Sequence, residues 1–377
     1  MEFLTSSAGN ILSALPPFLL VLTIVVFFHE LGHYLVARWC GIKAETFSIG
    51  FGPELIGRND RHGTRWRLSL IPLGGYVKFL GDENAASLPS GSQAPALSEA
   101  ERAQAFPTAA LWRRAATVAA GPVANFILAI VIFAVMFGVN GRMIADPVVA
   151  DVQPASAAAA AGILPGDRFV AIDGVKVEIF DDVQRYVSVR PETPITVTMD
   201  REGKLIDLTL TPVRTEVTDR FGNKMEIGRI GVVTNNNAGN FRIRKYGPLE
   251  AVGEGVAQSW YIVTRTFDYI SNIVTGRENA DQLGGPIRVA KDSKDMSTLG
   301  LAALIQLAAV LSVSIGLLNL MPIPMLDGGH LVFYAIEAVR GRPPGEAAQE
   351  WAYRFGLSIV LALMLFATWN DVSMLIG

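Results

Sequence analysis

Four stretches of this chain keep apolar residues at nearly every position for longer than an aqueous core needs. They run from about 16 to 38, 115 to 139, 299 to 321 and 355 to 369. A membrane span takes about 20 residues, so the fourth is the weakest and must extend into its flanks. Pro16 or Pro17 suits the start of the first span, where a helix makes no use of the missing N–H. Between the first two spans, "FSIGFGPELIGRNDRHGTRWRLSLIPLGGYVKFLGD" alternates apolar and polar positions between glycines and predicts short strands and hairpins. The following "ENAASLPSGSQAPALSEAERAQAF" is rich in Ser, Ala and Pro and predicts a flexible linker. After the second span, strand-like runs flank one helix at about 180–189, which suits a small α+β domain. "GPLEAVGEGVAQSWYIVTRTFDYISNIVTGR" then repeats apolar residues at helical spacing, with Trp260, Tyr261, Phe267 and Tyr269. It predicts an amphipathic helix, packed on the small domain or lying at the membrane surface.

The bulk numbers agree with a polytopic membrane protein. Of 377 residues, 50% are hydrophobic, and the mean hydropathy is +0.35. A net charge of −3, with no basic tail, gives no sign of a nucleic-acid partner. Cys40 is the single cysteine, which excludes an intrachain disulfide framework and a cysteine zinc site. The opening "MEFLTSSAGN" lacks the positive region of a signal peptide, so the first span is expected to be retained. The first loop holds Lys43, Arg58, Arg61, Arg65, Arg67, Lys78, Arg102, Arg113 and Arg114, and the last holds Arg340, Arg342 and Arg354. The termini outside the spans hold no Lys or Arg. The positive-inside rule then puts both loops in the cytoplasm, and both termini and residues 141–298 outside.

Against this pattern, the first span contains "FHELGH". An ionisable group at the centre of a bilayer costs about 2.5 kcal/mol or more, and is by default a functional-site hypothesis. His29 and His33 are four apart and share one helix face. Two neutral imidazoles so placed can bind one zinc ion. Glu30 points roughly 100° round the helix, beside the metal, where it can act as general base. This is the HExxH pattern of metalloproteases. The competing reading is a set of polar residues bonded to neighbouring helices.

A catalytic zinc site needs a third protein ligand and an open position. Two further histidines are available, His62 in the basic turn "NDRHGTRWR" and His330. The third span ends in "NLMPIPMLDGGH". There Pro322 and Pro324 stop a helix, Gly328 and Gly329 permit a tight turn, and Asp327 falls on unwound backbone at the cytoplasmic side, with His33. Irregular backbone at that depth is tolerated where protein or a water-filled cavity surrounds it. Asp327 is the preferred third ligand and His330 the second choice, against the plain reading of a turn-forming Asp.

These paired motifs resemble the site-2 protease family of intramembrane zinc metalloproteases, nearest its bacterial branch that includes the regulator of sigma-E protease. "AGPVANFILA", "LGGPIRVAK" and "PVVADVQPASAAAAAGILPGDRFVAIDGVKV" extend the resemblance over nearly the whole chain. The last resembles the PDZ domain of bacterial proteases. The resemblance implies that His29, His33 and Asp327 bind Zn2+, that Glu30 is the catalytic base, and that Asn319 helps hold the substrate helix. The expected architecture is polytopic α-helical, with four transmembrane helices, a cytoplasmic membrane-associated β-hairpin region and one α+β PDZ domain outside. The divisions fall at 1–40 (first span), 41–82 (hairpins), 83–110 (linker), 111–140 (second span), 141–215 (PDZ), 216–298 (amphipathic segment), 299–335 (third span), 336–354 (cytoplasmic loop) and 355–377 (fourth span). Several members of the branch carry two PDZ domains; this chain has room for one, with "KMEIGRIGVV" as a remnant strand pair.

The expected reaction is hydrolysis of peptide bonds in or near the span of single-pass membrane proteins in the bacterial inner membrane. The substrates would be already cut outside, such as anti-sigma factors, or signal-peptide remnants. A hairpin edge at Gly74, Gly75 and Tyr76 would pair with the unwound substrate. The PDZ domain would exclude bulky substrates or bind a new C-terminus through "VVADV". A membrane metal-ion transporter is the alternative for the same His/Asp site. No G-x-S-x-G nucleophile motif is present.

Overall fold

The computed structural model describes residues 2–82, 98–218, 224–234, 241–275, 280 and 284–376. Four of its helices are long and apolar enough to cross a membrane: Ser13–Trp39, Leu111–Val139, Leu301–Leu320 and Glu346–Met374. They correspond to the four expected spans, with two differences. The first helix starts at Glu2, so Pro16 and Pro17 lie inside it rather than at its start. The fourth, Glu346–Ile376, is about twice the length of the apolar stretch that pointed to it, because polar flanking residues continue the helix. Contacts divide the chain into two compact units.

The first unit comprises Met1–Phe133, Gly255–Val263 and Leu283–Gly377. Small residues let its spanning helices touch. A Cβ on Gly32 would lie 2.3 Å from the Ala120 carbonyl oxygen, so the first and second helices cross nearly backbone to backbone. Val21 and Val25 of the first helix pack on Leu304 and Ala308 of the third. Outward positions such as Ile127 and Val131 of the second and Leu361 and Leu365 of the fourth remain exposed, as a lipid-facing surface requires.

The third helix ends at Leu320, followed by Met321 in extended conformation. The break that Pro322 and Pro324 predict is therefore real, and Met325 turns the chain at φ 90°. The break ends earlier than expected. Asp327 is the first residue of a new helix, Asp327–Arg340, and lies on no unwound backbone. Gly328 and Gly329 do not form the turn; they belong to this helix's first turn. A Cβ on Gly329 would lie 2.4 Å from the Ile323 carbonyl oxygen, so glycine is needed for close approach. The fourth helix also packs on the break, with Gly356 against the Pro324 carbonyl.

The expected short strands are present within Ala44–Asn59 and Arg65–Phe79, which fold into one β-ribbon of irregular register: 46–49 lies between 65–68 and 75–78, and 54–59 pairs with 65–69. Its turn is tied to the first helix. Asp60 accepts from Tyr34 Oη (2.7 Å), Trp66 Nε1 (3.2 Å) and the main-chain N–H groups of His62 and Thr64. Partial burial pushes the Asp60 carboxyl up, but these donors outweigh it and hold it at about 2. Phe47 stacks on Trp66 at 4.2 Å and is fully buried with Tyr34. The far part of the ribbon exposes Leu55, Ile56, Leu70 and Leu73.

Of the expected linker, residues 83–97 lie outside the described residues. The remainder is packed. Ser98 and Glu101 form a capping box, and buried Phe106 stacks on Phe79 at 5.2 Å. The apolar Phe in an otherwise Ser- and Ala-rich run outweighed the local composition.

A helix at Pro286–Thr298 packs on the first helix. Its N-terminus is capped from afar: buried Asp371 of the fourth helix accepts the N–H groups of Gly285 (2.9 Å), Ile287 and Arg288 (both 3.1 Å). A carboxylate at a helix N-terminus also meets the positive end of the dipole.

The second unit comprises Ala134–Glu254 and Thr264–Gln282. Its centre is an antiparallel sheet in the order Val175–Lys176, Arg168–Ile172, Ile195–Arg201, Lys204–Leu210. The helix Phe180–Ser188 lays Val183 and Val187 over a core of Phe169, Ile172, Ile195, Val197 and Met199. Asp167, buried, accepts two bonds from Arg201 at 2.7 Å, which hold its carboxyl below the usual range. The "KMEIGRIGVV" segment is no separate remnant. Lys224–Arg229 pairs with Val213–Thr218, and Val232–Val233 pairs with Asp151–Val152. The small domain's strands thus continue past residue 215. The amphipathic helix runs from Pro248 to Val274.

Asp371→Ala leaves main-chain donors buried without an acceptor, a loss of about 1–3 kcal/mol. The full chain in detergent is expected to unfold at a lower temperature, with Asp371→Asn falling between; an unchanged transition would show that this cap contributes nothing.

Candidate metal centre

His29 and His33 lie one turn apart on the first helix and are both about nine-tenths buried. Their Nε2 atoms are 3.2 Å apart. Asp327 comes in from the N-terminus of its own helix, 3.2 Å from His29 Nε2 and 3.6 Å from His33 Nε2 through Oδ2. Residues almost 300 positions apart in the chain thus point three donor atoms at one place.

The second helix fixes one imidazole. His33 Nδ1 lies 2.9 Å from the main-chain oxygen of Thr117. A carbonyl only accepts, so Nδ1 carries the proton and Nε2 presents its lone pair. Gly121, one turn further on, leaves room for that ring: a Cβ there would sit 2.2 Å from His33 Nε2. Asp327 is held from behind. Further along its helix Glu337 pairs with Arg114 at 2.6 Å, and Arg114 lies over the Tyr334 ring.

Asp327 Oδ2 is buried and has no hydrogen-bond partner among the described residues. The carboxylate oxygen and the lone pair of His33 Nε2, 3.6 Å apart, repel unless a cation lies between them. The spacings fit one. A tetrahedral ion bound at about 2.0–2.2 Å sets its ligands about 3.3–3.5 Å apart, against the observed 3.2, 3.2 and 3.6 Å. Two imidazoles and a carboxylate are also a donor set that zinc takes, with a fourth position left open.

A cleft beside these atoms is lined by Glu30, Asn319, Gly75, Tyr76 and His330 as well. The ribbon presses on the first helix here, since a Cβ on Gly75 would lie 3.3 Å from Glu30 Cγ. Gly74 stands apart from the cleft, against the Phe51 ring at φ 139°. His330 faces Tyr353 Oη at 3.3 Å and is not among the three converging residues. His62 is exposed on the ribbon's turn.

The profile of peptidase family M50 matches residues 17–363. The chain belongs to peptidase family M50. This is the site-2 protease family, and it uses zinc. A protein of Agrobacterium fabrum, provisionally named a zinc metalloprotease, is 64% identical over 377 residues, the whole of both chains. A similarly named protein of Rhizobium meliloti is 61% identical over 368 residues, 98% of each. Metalloprotease MmpA of Caulobacter vibrioides is 38% identical over 377 residues, 94% of each. The chain is thus a membrane zinc metalloprotease of family M50.

Thr117, Gly121 and Asn125 escaped the sequence reading, although all three face the histidines. The available signal was the polar Asn within "AGPVANFILA", an uncommon residue inside a span.

Gly121→Ala is expected to push the His33 imidazole off its position and weaken zinc binding about tenfold or more, a size usual for damage to groups that orient a ligand. Zinc content of the purified variant, with wild-type thermal stability as the control, checks this; full zinc occupancy would count against His33 as a ligand.

Proposed function

We propose that this M50 protease cleaves peptide bonds in or next to the span of single-pass membrane proteins that an earlier protease has shortened. The converging His29, His33 and Asp327, with Glu30 alongside, carry this reading. These three residues would hold the zinc. When bound, zinc polarises the scissile carbonyl and lowers the pKa of a water toward about 7. Glu30 takes the proton from the attacking water and gives it to the leaving amine. The ribbon packs on Glu30 at Gly75 and so positions the base. Asn319, at the cleft wall, bonds the substrate backbone.

A helical substrate hides its peptide groups and must unwind before attack. The ribbon strand at Gly74, Gly75 and Tyr76 receives it as an added strand. The small domain, with its sheet and single helix, serves as the one PDZ domain and limits entry by size. A newly made C-terminus is a less suitable ligand, since Val232–Val233 already pairs with Asp151–Val152. In this reading the ribbon is cytoplasmic, in a bacterial inner membrane, with the termini and small domain outside; the basic residues of the two short loops favour this orientation. The architecture suits the regulator of sigma-E branch, with anti-sigma factors or signal-peptide remnants as substrates. A transporter reading finds no support among relatives named as proteases.

Glu30→Gln should keep its zinc and lose cleavage of a reporter membrane substrate by about 10²–10⁴-fold, the usual weight of a general base. Retained cleavage would overturn the assignment. Proline in place of Gly75 or Tyr76 should slow cleavage with zinc content unchanged; cleavage at the wild-type rate would rule out strand addition there.

A further inference from the structure

The two imidazoles are not held alike. His33 has the Thr117 carbonyl behind it. Behind His29 stands the side chain of Asn125, from the second helix, with 0% of its surface exposed. Its amide lies 3.2 Å from His29 Nδ1. With the amide nitrogen toward the ring, Asn125 donates and Nδ1 accepts. The proton of a neutral His29 then sits on Nε2, the atom that faces His33 and Asp327, and blocks it as a ligand. In that orientation Asn125 Oδ1 is also left buried without a hydrogen-bond partner among the described residues. A half-turn of the amide exchanges two groups of nearly equal size. Oδ1 then accepts from His29 Nδ1–H, and Nε2 is free to bind metal.

We propose that Asn125 is the positioning residue of His29: it presents its carbonyl oxygen to Nδ1–H and so fixes the tautomer and ring orientation that zinc needs. Ligating histidines are commonly held this way, by a carboxylate, a carbonyl or water. Asn125 is itself fixed by its backbone, whose carbonyl accepts from Ser312 Oγ of the third helix at 2.8 Å. Close packing of Gly316 against Asn125 Cβ, 3.2 Å from the position a Cβ would take, restrains the side chain. The second helix therefore supplies an acceptor to each histidine, one from the main chain and one from a side chain.

The proposal rests on the zinc site described above. The test compares zinc affinity of the full-length wild type, Asn125→Asp and Asn125→Leu in detergent, by competition with a chelator, with thermal unfolding of each metal-free protein alongside. Asn125→Leu, near in volume but without an acceptor, is expected to lose about 10–100-fold in affinity, while Asn125→Asp, which keeps an acceptor oxygen, stays within a few-fold of wild type. Equal affinity in wild type and Asn125→Leu, or equal losses in both variants, overturns the role of Asn125 alone. A wild type that binds no zinc overturns the site and this role together. Should Asn125→Leu fail to fold, nitrogen NMR of the zinc-loaded wild type decides: a protected, hydrogen-bonded Nδ1–H on His29 supports the proposal, and one exchanging freely with solvent overturns it. With four histidines in the chain, the signals can be assigned by single substitution.

Discussion

Three electron-pair donors aimed at one point, inside helices that face lipid, govern the rest of the molecule. His29, His33 and Asp327 cannot form a satisfied hydrogen-bonded set among themselves once the Thr117 carbonyl has claimed the proton of one imidazole. In water such a cluster would be solvated. Here its members are largely withdrawn from solvent, where an unpaired polar group costs several kcal/mol. A divalent cation removes the conflict, and its binding free energy becomes part of the stability of the fold. The glycines, caps and ion pairs around the cluster follow from the need to bring three chain segments to that point.

Bringing them there needs space as much as attraction. Lipid tails are as apolar as leucine, so spanning helices associate through close packing rather than through the hydrophobic effect. The first and second helices meet at Gly32, and the His33 ring fits over Gly121. Asp327 depends on a different device. Prolines end the third helix, a short break reverses the chain, and a new helix starts with Asp327 as its first residue. A carboxylate there meets the positive end of the helix dipole, which favours its charged form, the form that a metal binds. Glu337 and Arg114 hold the same helix to the second.

Local features were legible in the sequence. Apolar runs gave the four spans, and the four-residue spacing of His29 and His33 gave their shared face. The break after Leu320 followed from its prolines. That Asp327 reaches the histidines is a tertiary fact, and only the pairing of two motifs hinted at it. Thr117 contributes through its carbonyl, which no side-chain pattern can reveal, and Gly121 through an absent side chain. Asp371 was missed for the same reason, since its cap lies on a helix more than eighty residues away in sequence. The linker was misread where Phe106 packs on Phe79, because composition averages away a single anchoring residue.

The ribbon joins this packing to the proposed reaction. One end is fixed: Asp60, Tyr34, Trp66 and Phe47 bind it to the first helix, and Gly75 brings its second strand against Glu30. The other end exposes Leu55, Ile56, Leu70 and Leu73, which water would penalise and lipid would not. The outer segments of the ribbon, 54–59 and 75–79, each leave one edge unpaired within it, and free N–H and C=O groups near hydrocarbon are costly. An unwound substrate segment carries the same cost, because its own helical bonds are broken. Pairing the two relieves both, so under the proposed function the ribbon lowers the cost of unwinding where Glu30 needs an extended peptide. This strand addition requires the edge near Gly75 to be open before substrate arrives and places the attacked bond within reach of the base, which explains why one element both packs on Glu30 and borders the cleft.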